Sequence, residues 1–547
     1  MLATDRPTPA LDADIIVVGA GPTGLVLANL LGQRGVRTLL LERSATTVQE
    51  PRAVSIDDES MRTMQAIGVD DELMPLLARG YGSHYRGPDG AVFAIVEPNS
   101  TEFGFDKRNA FQQPELEGIL GENLKRHASL DVRFNCNVVA VAQDETGASA
   151  IVEDRGGHTT LRGQYLVGSD GARSLVRKSL GINLTGSSFE QQWLIVDIFK
   201  TRNRFRHTEV FCNPRRPGIT LPGPRGTRRY EFMLHPHETE ACALQEDFVR
   251  TLLNEVGPDG DAPLRRVKAY MFHARAAERW RDRRIFLAGD AAHLSPPFAG
   301  QGMNSGIRDA HNLAWKLAEA AHRDVPAAFL DSYEAERKPH AQAMIDLALS
   351  MGRVMMPRSR LRAALTRTGF RLLGLYKPAR DYVSQMRYKP KPRFREGLLW
   401  PDEADGRDIV GRLFPQPIVE DADGVRVRLD DVLSVGSAVI LFGTDPAALA
   451  AAPDFRAVAD TGVTVVGITP NWINPAEAPF KIVRDASGGL SDLARTSHLD
   501  HAILLRPDRY VAIAVRFERI GALVPALSKI GAVTPAAAEA VPLARQI

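Results

Sequence analysis

Residues 14–43, with the sequence DIIVVGAGPTGLVLANLLGQRGVRTLLLER, decide the fold of this chain. The apolar run Ile15–Val18 ends in a glycine and predicts a buried strand. Pro22–Arg34 carries apolar residues at helical spacing, and Gly35 behind it is typical of a helix end. Thr38–Leu41 is again apolar and predicts a second buried strand. The stretch is therefore predicted to be a strand–helix–strand unit.

Three glycines, Gly19, Gly21 and Gly24, stand between the first strand and the helix. In this position the first permits a tight turn, the second lets a pyrophosphate approach the backbone, and the third lets helix and strand pack closely. The helix N-terminus offers free N–H groups to phosphates. Glu42 ends the second strand, where its carboxylate can accept hydrogen bonds from ribose hydroxyls. A glycine-rich turn that binds nothing is the alternative, but the context favours a dinucleotide site.

A second motif follows the apolar strand predicted over Ile285–Ala288. Gly289 and Asp290 end this strand, where the carboxylate can either contact a polyol or cap a turn. The glycine-rich loop that follows leads into an amphipathic helix predicted over Ser305–His322, and a helix N-terminus stabilises an anion. A reduced flavin carries negative charge on its pyrimidine edge, so this loop suits flavin chemistry.

A third motif, Asp170-Gly171, follows the strand predicted over Tyr165–Gly168. An Asp-Gly pair is also common in turns that bind no ligand. Its occurrence together with the other two motifs favours a functional role.

These three motifs, in this order and spacing, resemble the fingerprints of the FAD-dependent aromatic hydroxylases, the single-component flavoprotein monooxygenases. Shorter matches extend the resemblance over nearly the whole chain and narrow it to members that hydroxylate 3-(3-hydroxyphenyl)propionate. They are Pro51-Arg52-Ala53, Ile56-Asp57-Asp58-Glu59, Arg62-Thr63-Met64-Gln65, Glu102-Phe103-Gly104, Arg229-Tyr-Glu-Phe-Met233, Gly300-Gln-Gly302, Asn304-Ser-Gly306 and Arg506-Pro-Asp-Arg509. The fingerprints are specific for the flavin class and much less specific for the substrate, because relatives that act on other phenols share them.

The resemblance implies which residues bind FAD and which lie beside the nicotinamide nucleotide. The ADP half would be bound by Gly19, Gly21, Gly24, Glu42 and Arg43, and the ribityl and pyrophosphate region by Arg52, Gln113, Gly289 and Asp290. The pyrimidine edge of the flavin would be faced by Gly302, Met303 and Asn304. FAD and the approaching nucleotide would be supported by Asp170 and Arg173.

The resemblance also implies a reaction. NADH or NADPH reduces FAD, the reduced flavin and O₂ give a C4a-hydroperoxide, and one oxygen atom is transferred to the carbon ortho to a phenol hydroxyl. The expected substrate is a phenolic aromatic acid, 3-(3-hydroxyphenyl)propionate or 3-hydroxycinnamate. The alternatives are a monooxygenase acting on another phenol or a polyketide, a FAD dehydrogenase or epoxidase, and a non-catalytic nucleotide-binding module. No second dinucleotide motif occurs, so NADH and NADPH are not distinguished.

The base that would deprotonate the phenol is not identified by the sequence. Tyr230, His235 and Asp197 lie in the predicted β-rich segment and are candidates. His293, directly after the Gly-Asp motif, is expected to be structural rather than a base.

The predicted fold class is α/β, with a Rossmann-like FAD-binding domain, an inserted β-rich substrate domain and a C-terminal thioredoxin-like domain. The predicted segments are 1–184 and 285–390 for the FAD-binding domain, 185–284 for the β-rich domain, 391–407 for a linker, and 408–547 for the thioredoxin-like domain. The last segment contains no cysteine, so thiol redox chemistry is excluded there, and we expect it to be structural or a contact in a homo-oligomer. Individual strands are predicted over Val132–Ala142, Ala438–Phe442, Val463–Ile468, Ala502–Leu505 and Tyr510–Val515.

Composition limits the other function classes. Lys and Arg total 68 and Asp and Glu total 66 among 547 residues, and this balance argues against a nucleic-acid binder. Cys136, Cys212 and Cys242 lie far apart, which predicts neither a disulfide framework nor a cysteine zinc site, and no metal-ligating pattern occurs. No stretch is long and apolar enough to predict a membrane span, and residues 1–13 lack the basic start of a signal peptide, so a cytoplasmic protein is expected.

Overall fold

The computed structural model describes residues 10–154, 157–357, 359–451, 453–471, 473–474, 478–495 and 498–531. The beginning of the predicted segment 1–184 and the end of the segment 408–547 therefore lie outside the described residues. Within the described residues the strands form a central sheet and a flanking sheet of eight strands each, a C-terminal sheet of seven, and a small sheet of three. The predicted α/β fold class is confirmed.

The central sheet is built on the opening strand–helix–strand unit. Its path runs through Arg281–Asp282, Ile285–Leu287, Gly157–Gly168, Ala13–Val18, Thr38–Leu41 and Leu130–Arg133. The strand Ala148–Asp154 pairs antiparallel with Gly157–Gly168, and Asn137–Gln143 pairs antiparallel with Ala148–Asp154. The strands from Ile285–Leu287 to Leu130–Arg133 are parallel to one another. Because parallel strands end at the same edge, the three predicted motifs meet at one edge of this sheet.

Helices cover the central sheet and connect it to the rest of the chain. The α-helices are Pro22–Gly32, Asp58–Ile67, Asp70–Leu73, Gln113–Leu124, Leu175–Ser179, Glu240–Ala243, Glu246–Val256, Gly302–His322, Ala327–Met355, Arg360–Leu375, Lys377–Ser384, Pro453–Ala459, Ser491–Arg495 and Leu523–Ile530. The helix predicted over Ser305–His322 begins three residues earlier, at Gly302. Among the described helices, none combines the length and the apolar character that a bilayer crossing requires.

The flanking sheet lies against the helices that follow the second motif. Its strands, in spatial order, are His293–Leu294, Leu264–Ala277, Leu184–Ile198, Arg228–Met233, Gly218–Pro222, Thr208–Phe211, Ser83–Arg86 and Val92–Val96. The last two come from the segment predicted for the FAD-binding domain, so the sheet is not formed by residues 185–284 alone. Glu246–Val256 covers one face of the sheet, where Leu252 and Leu253 pack on its apolar side chains.

One strand prediction is wrong. Val132–Ala142 is divided into the strands Leu130–Arg133 and Asn137–Gln143. Between them Asn135 adopts a left-handed conformation with a φ of 58°, and its N–H donates to the Ser44 carbonyl at 3.0 Å. A left-handed residue interrupts an extended strand, so the first half stays in the parallel part of the sheet and the second turns into the antiparallel hairpin.

The C-terminal sheet contains more strands than the sequence predicts. In spatial order they are Arg426–Arg428, Ile418–Glu420, Lys481–Asp485, Thr464–Thr469, Ala438–Phe442, His501–Leu505 and Val511–Arg516. The first three are short and carry charged residues, so they lack the apolar run that marks the others. The thioredoxin-like architecture of this unit stays a prediction.

The segment predicted as a linker, 391–407, is packed between the C-terminal sheet and the helix Ala327–Met355. The Phe394 ring stacks on Tyr510 with 3.9 Å between centroids. The backbone N–H of Trp400 donates to the Ala512 carbonyl at 2.9 Å, and the backbone N–H of Leu398 donates to a Glu336 carboxylate oxygen at 2.9 Å. This connection therefore fixes the C-terminal unit to the helices rather than leaving it tethered.

A buried charge network fastens the same contact. Arg506, in the turn between the last two strands of the C-terminal sheet, donates to both carboxylate oxygens of Glu336 at 2.8 and 2.7 Å. Lys316 donates to the same carboxylate at 2.7 Å, and Asp508 accepts from Arg506 at 2.6 Å. All four side chains are buried. Each charge has an opposite partner, which a buried charge requires.

Candidate active site

The glycine turn after Ala13–Val18 forms the base of a cleft. Gly19 has a φ of +103°, and a Cβ there would lie 2.6 Å from the Ser169 carbonyl oxygen. A Cβ on Gly24 would collide with the Gly19 carbonyl oxygen, so both glycines are required by packing. A Cβ on Gly21, in contrast, would meet no atom within 4 Å. Gly21 therefore faces open space, as a backbone that a bound group approaches closely should.

The cleft in front of this turn has a volume of about 670 Å³. Eight of the residues predicted to hold the cofactor line it, namely Gly19, Gly21, Glu42, Arg43, Arg52, Gln113, Asp170 and Arg173. They come from the ends of three parallel strands, from the helix Gln113–Leu124 and, for Arg52, from the segment before the strand Ser55–Asp57. The helix Pro22–Gly32 begins at the cleft with no side-chain cap on its N-terminus, which leaves N–H groups for an anion.

Glu42 stands at the opening of the cleft. Its Oε2 accepts from the Ala20 N–H at 2.9 Å and its Oε1 from the Ser44 N–H at 2.9 Å. Each carboxylate oxygen can accept a second hydrogen bond, so this arrangement leaves acceptors for hydroxyl groups. Arg43 beside it is exposed.

Arg52 lies on a strap over residues 48–53 that Gln113 holds in place. The Gln113 Oε1 accepts from the Ala53 N–H at 2.6 Å, and its Nε2 donates to Glu117 at 2.7 Å. On the other side Arg229 donates to the Arg52 carbonyl at 2.7 Å. The Arg52 side chain is exposed, whereas the Gln113 amide is buried and occupied by these bonds. Gln113 thus positions the strap that carries the cation.

Asp170 lines the cleft and is hydrogen-bonded within the protein, and its expected part in supporting FAD stays a prediction. Its carboxylate accepts from the Leu175 and Val176 N–H groups at 2.6 and 3.1 Å and from the Ser174 hydroxyl at 2.5 Å. It therefore caps the helix Leu175–Ser179 and shapes the wall of the cleft. Arg173 lies before this helix and is exposed.

The second motif meets the glycine turn from the opposite side. Gly289 has a φ of +58°, and a Cβ there would lie 2.5 Å from the Thr23 Oγ1. Gly306, in the helix Gly302–His322, touches the same threonine. Asp290 is exposed beside them, yet it is surrounded by enough protein that desolvation raises its pKa, while His293 and Arg52 act to lower it. The second motif and the helix Gly302–His322 therefore pack against the start of the helix Pro22–Gly32, and Arg52 is close enough to Asp290 to act on its pKa.

The Asn304 side chain does not line the cleft, and the expectation that Asn304 faces the pyrimidine edge of the flavin stays a prediction. It is fully buried, its Oδ1 accepts from the Asp57 N–H at 3.1 Å, and its Nδ2 donates to the Ser55 and Gly300 carbonyls at 3.1 and 2.7 Å. Asn304 instead ties the loop to the small sheet. Gly302 has open space where a Cβ would lie. Met303 is half-buried against the main core.

His293 is structural, as expected. It is buried, and its Nε2 lies 2.6 Å from the Asp309 Oδ2. That oxygen also accepts from the Gly289 N–H at 3.1 Å, and Arg337 donates to the other at 3.0 Å. Burial acts to raise the pKa of Asp309, but His293 and Arg337 hold it below its ordinary value. Asp309 was missed from sequence because it follows the motif by 20 residues, inside a helix.

One face of the flanking sheet is turned toward the turn Pro297–Ala299. Phe298 packs on Trp193 and Phe272 of this face, with 5.5 and 5.8 Å between ring centroids. Phe189 adds a third edge contact at 5.5 Å. The result is an apolar, aromatic surface beside the loop that leads to Gly302.

Strand register fixes which residues share that face. Ile195 pairs with Glu231, and Glu231 pairs with Ile219, so the three form one row across neighbouring strands. Lys268 pairs with Ile195 on the other side and extends the row. Paired residues in antiparallel strands project to the same side. Within this row the face carries one carboxylate, Glu231, and toward its edge one exposed cation, Lys268.

The three candidate bases Asp197, Tyr230 and His235 either are hydrogen-bonded within the protein or do not lie on this face. Asp197 accepts from the Arg229 Nε and Nη2 at 2.7 and 2.9 Å. Tyr230 is turned to the opposite face, where its hydroxyl donates to Asp259 at 2.7 Å and burial raises its pKa. His235 lies beyond the end of the strand Arg228–Met233.

A second cavity, of about 1440 Å³, reaches the same loop at Ala299 and Gln301. Three adjacent acids, Asp57, Asp58 and Glu59, line it. Lys389 lies 3.1 Å from Asp57 and 2.8 Å from Glu59, and Arg308 also pairs with both. These acids therefore serve as counterions that hold the loop, the small sheet and the segment around residue 389 together.

Comparison with known proteins agrees with this geometry. Residues 12–348 match the family described as FAD binding domain, and residues 411–530 match the HcaD C-terminal domain. The chain is 37% identical over 520 residues to the 3-(3-hydroxy-phenyl)propionate/3-hydroxycinnamic acid hydroxylase of Klebsiella pneumoniae subsp. pneumoniae, covering 93% of this chain and 92% of that protein. It is 37% identical over 508 residues to the protein of the same name from Mycolicibacterium smegmatis, covering 91% and 90%.

A solved structure shares the fold. The flavin-dependent monooxygenase PieE, in complex with FAD and substrate, matches with a TM-score of 0.77 at 23% identity, covering 95% of this chain and 99% of that one. The family match includes the glycine turn, the cleft and the helix at residue 302. The open space at Gly21 and Gly302 and the uncapped helix N-terminus suit the phosphates and ring of FAD. The chain therefore belongs to the FAD-binding-domain family of aromatic hydroxylases, and it is an FAD-dependent monooxygenase.

Proposed function

We propose that the chain hydroxylates 3-(3-hydroxyphenyl)propionate or 3-hydroxycinnamate ortho to the phenol hydroxyl, with O₂ as oxidant and NADH or NADPH as reductant. The relatives that bear these substrates in their names are 37% identical over more than nine tenths of the chain. The observation that carries the proposal is the sheet face beside Phe298. It offers an apolar surface for an aromatic ring and, in one row, Glu231 and Lys268 for the polar ends of a phenolic acid.

In this proposal the residues of the cleft hold FAD, which supplies the electron transfer and oxygen chemistry when bound. The N–H groups at Gly21 and at the start of Pro22–Gly32 bind the pyrophosphate, and Glu42 binds ribose hydroxyls. Arg52 and Asp290 orient the ribityl chain, and the backbone at Gly302 approaches the pyrimidine edge, where the helix N-terminus stabilises negative charge. The aromatic cluster around Phe298 excludes water from the reacting ring.

Replacing Asp290 tests the orienting contact. A charge-assisted hydrogen bond of this kind is worth about 1.5–3 kcal/mol, so Asp290→Ala should weaken FAD binding about ten- to a hundredfold. A displaced flavin should also reduce O₂ to hydrogen peroxide at the expense of hydroxylated product. The measurements are the FAD dissociation constant and the ratio of product to NADH consumed. Asp282→Ala, on the neighbouring strand away from the cleft, is the control. Unchanged affinity and full coupling would show that Asp290 only caps a turn.

Replacing Lys268 tests the carboxylate end of the substrate. Lys268 is exposed, and an exposed ion pair contributes up to about 1 kcal/mol, so Lys268→Met should raise KM for 3-(3-hydroxyphenyl)propionate by up to about fivefold. The value of kcat should stay the same, since the contact is equal in ground and transition states. 3-Ethylphenol lacks the carboxylate and is the matched control. An equal rise in KM for both compounds would contradict this role.

The function itself is tested with the FAD-loaded protein and a panel of phenols. NADH and NADPH oxidation are followed separately, and products are identified by mass spectrometry. We expect stoichiometric formation of the catechol from 3-(3-hydroxyphenyl)propionate or 3-hydroxycinnamate. Faster coupled turnover of a phenol without an acid side chain, or of a polyketide, would replace the proposed substrate class.

A further inference from the structure

Glu231 occupies the centre of the sheet face that Phe298 covers. It is 5% exposed, and its strand neighbours in the same row are Ile195 and Ile219. Two residues earlier on the same face, Arg229 contacts the strap that carries Arg52. Glu231 therefore lies between the strap and the aromatic cluster, the two elements that border the flavin in the proposed function.

No structural partner accounts for this carboxylate. Arg229, the nearest cation, is engaged in two hydrogen bonds to Asp197 and in bonds to the Pro51 and Arg52 carbonyls. Its Nη1 lies 4.0 Å from the Glu231 Oε1, beyond hydrogen-bond distance. Across the described parts of the chain, no hydrogen bond to the Glu231 carboxylate is found. A buried carboxylate without a hydrogen bond is costly, so its presence calls for a ligand that supplies one.

The charged groups around Glu231 set its proton affinity. Burial raises its pKa to about 7, Arg229 acts to lower it, and Asp197 on the neighbouring strand adds to the rise. On the same face Arg266 lies 3.7 Å from Asp197, and Lys268 ends the row. The turn Pro297–Ala299 and the end of the helix Ala327–Met355 pack over this face through apolar side chains. Glu231 thus changes protonation state near neutral pH.

We propose that Glu231 is the catalytic base that accepts the phenol proton of the substrate, an inference that rests on the proposed function. The phenol O–H bond breaks, the proton moves to a Glu231 carboxylate oxygen, and the electron pair stays on the phenol oxygen. No electrons are gained or lost in this step. The added charge raises electron density at the ortho carbon, which is the atom that receives oxygen. General-base catalysis of this kind is typically worth about 10²–10⁴ in rate.

The first experiment compares wild type, Glu231→Gln and Glu190→Gln as FAD-loaded proteins, with product formation from 3-(3-hydroxyphenyl)propionate measured as a function of pH. In wild type the turnover should rise as pH increases through about 7, because the base must be ionised. Glu231→Gln should lose this rise and at least about 100-fold in turnover. Glu190→Gln, an exposed glutamate of the same sheet, should match wild type. Glu231→Asp, which keeps a carboxylate, should retain the pH-dependent rise and covers the case in which the glutamine variant loses FAD.

The second experiment uses a ring-fluorinated substrate, whose phenol is more acidic and needs less help from a base. The defect of Glu231→Gln should be smaller with this substrate, which a merely structural role would not produce. Equal defects with both substrates and an unchanged pH profile would overturn the proposal. If wild type forms no catechol from either compound, the proposed function fails instead, so the two failures are distinguishable.

Discussion

Gly21→Val should yield a folded protein without FAD. The backbone at Gly21 has a φ of −74°, which any residue adopts, and a Cβ there meets no protein atom within 4 Å. The valine side chain would instead fill the space in which the pyrophosphate approaches the helix N-terminus. We expect FAD affinity to fall by at least about 100-fold, so that the purified protein is colourless. Absorbance of bound flavin and the FAD dissociation constant measure the effect.

Two other glycines separate loss of ligand from loss of fold. Gly118 also has open space around it but lies on the exposed side of Gln113–Leu124, so Gly118→Val should keep FAD. Gly24→Ala should fail to fold, because its Cβ would collide with the Gly19 carbonyl. Stoichiometric FAD in Gly21→Val would show that the cofactor does not lie against this turn.

Glu336→Gln should cause a large loss of stability in a protein that still folds. Arg506 would keep its charge in a buried site with only Asp508 as counterion, and Lys316, whose pKa burial already lowers to about 8, would lose the carboxylate that acts to raise it. Although burial opposes ionisation, these two cations hold the pKa of Glu336 at about 2, so the glutamine variant differs in charge at every physiological pH. Breaking a buried ion pair from one side costs about 3–5 kcal/mol. Urea unfolding of the FAD-loaded protein, followed by circular dichroism, measures the difference.

An exposed glutamate provides the comparison. Glu122 pairs with Lys125 at 2.7 Å, but both side chains are more than 70% exposed. Glu122→Gln should therefore change the free energy of unfolding by less than about 1 kcal/mol. Similar unfolding midpoints for the two variants would contradict the role assigned to the buried network.

The cofactor end of the molecule could be predicted from sequence because its signals are local. Gly19, Gly21 and Gly24 act through backbone shape, and an apolar strand on one side and a helix on the other identify their context. The structure gathers Gly19 and Gly21 with Glu42, Arg43 and Arg52 around one cleft. Their individual roles toward FAD stay a prediction.

The roles of Asn304 and Asp170 could not be predicted, because they depend on where a side chain turns within the assembled fold. Asn304 bonds to backbone groups that lie 247 and 249 residues earlier in the chain. Asp170 turns along its own backbone to cap a five-residue helix too short to show periodicity. Glu231 did leave a signal, since alternation along Arg228–Met233 separates it from Tyr230, but the sequence does not tell which face borders the flavin.

The buried network has a consequence for the order of events during synthesis. Arg506 follows Glu336 by 170 residues, which a ribosome adds in roughly ten to thirty seconds. During that interval Glu336 already has a counterion, because Lys316 is translated before it and binds the same carboxylate. The nascent helices can therefore associate without an isolated charge in their core. Arg506 later arrives together with Asp508, its own compensating acid, so that neither half of the contact brings an uncompensated charge to the other.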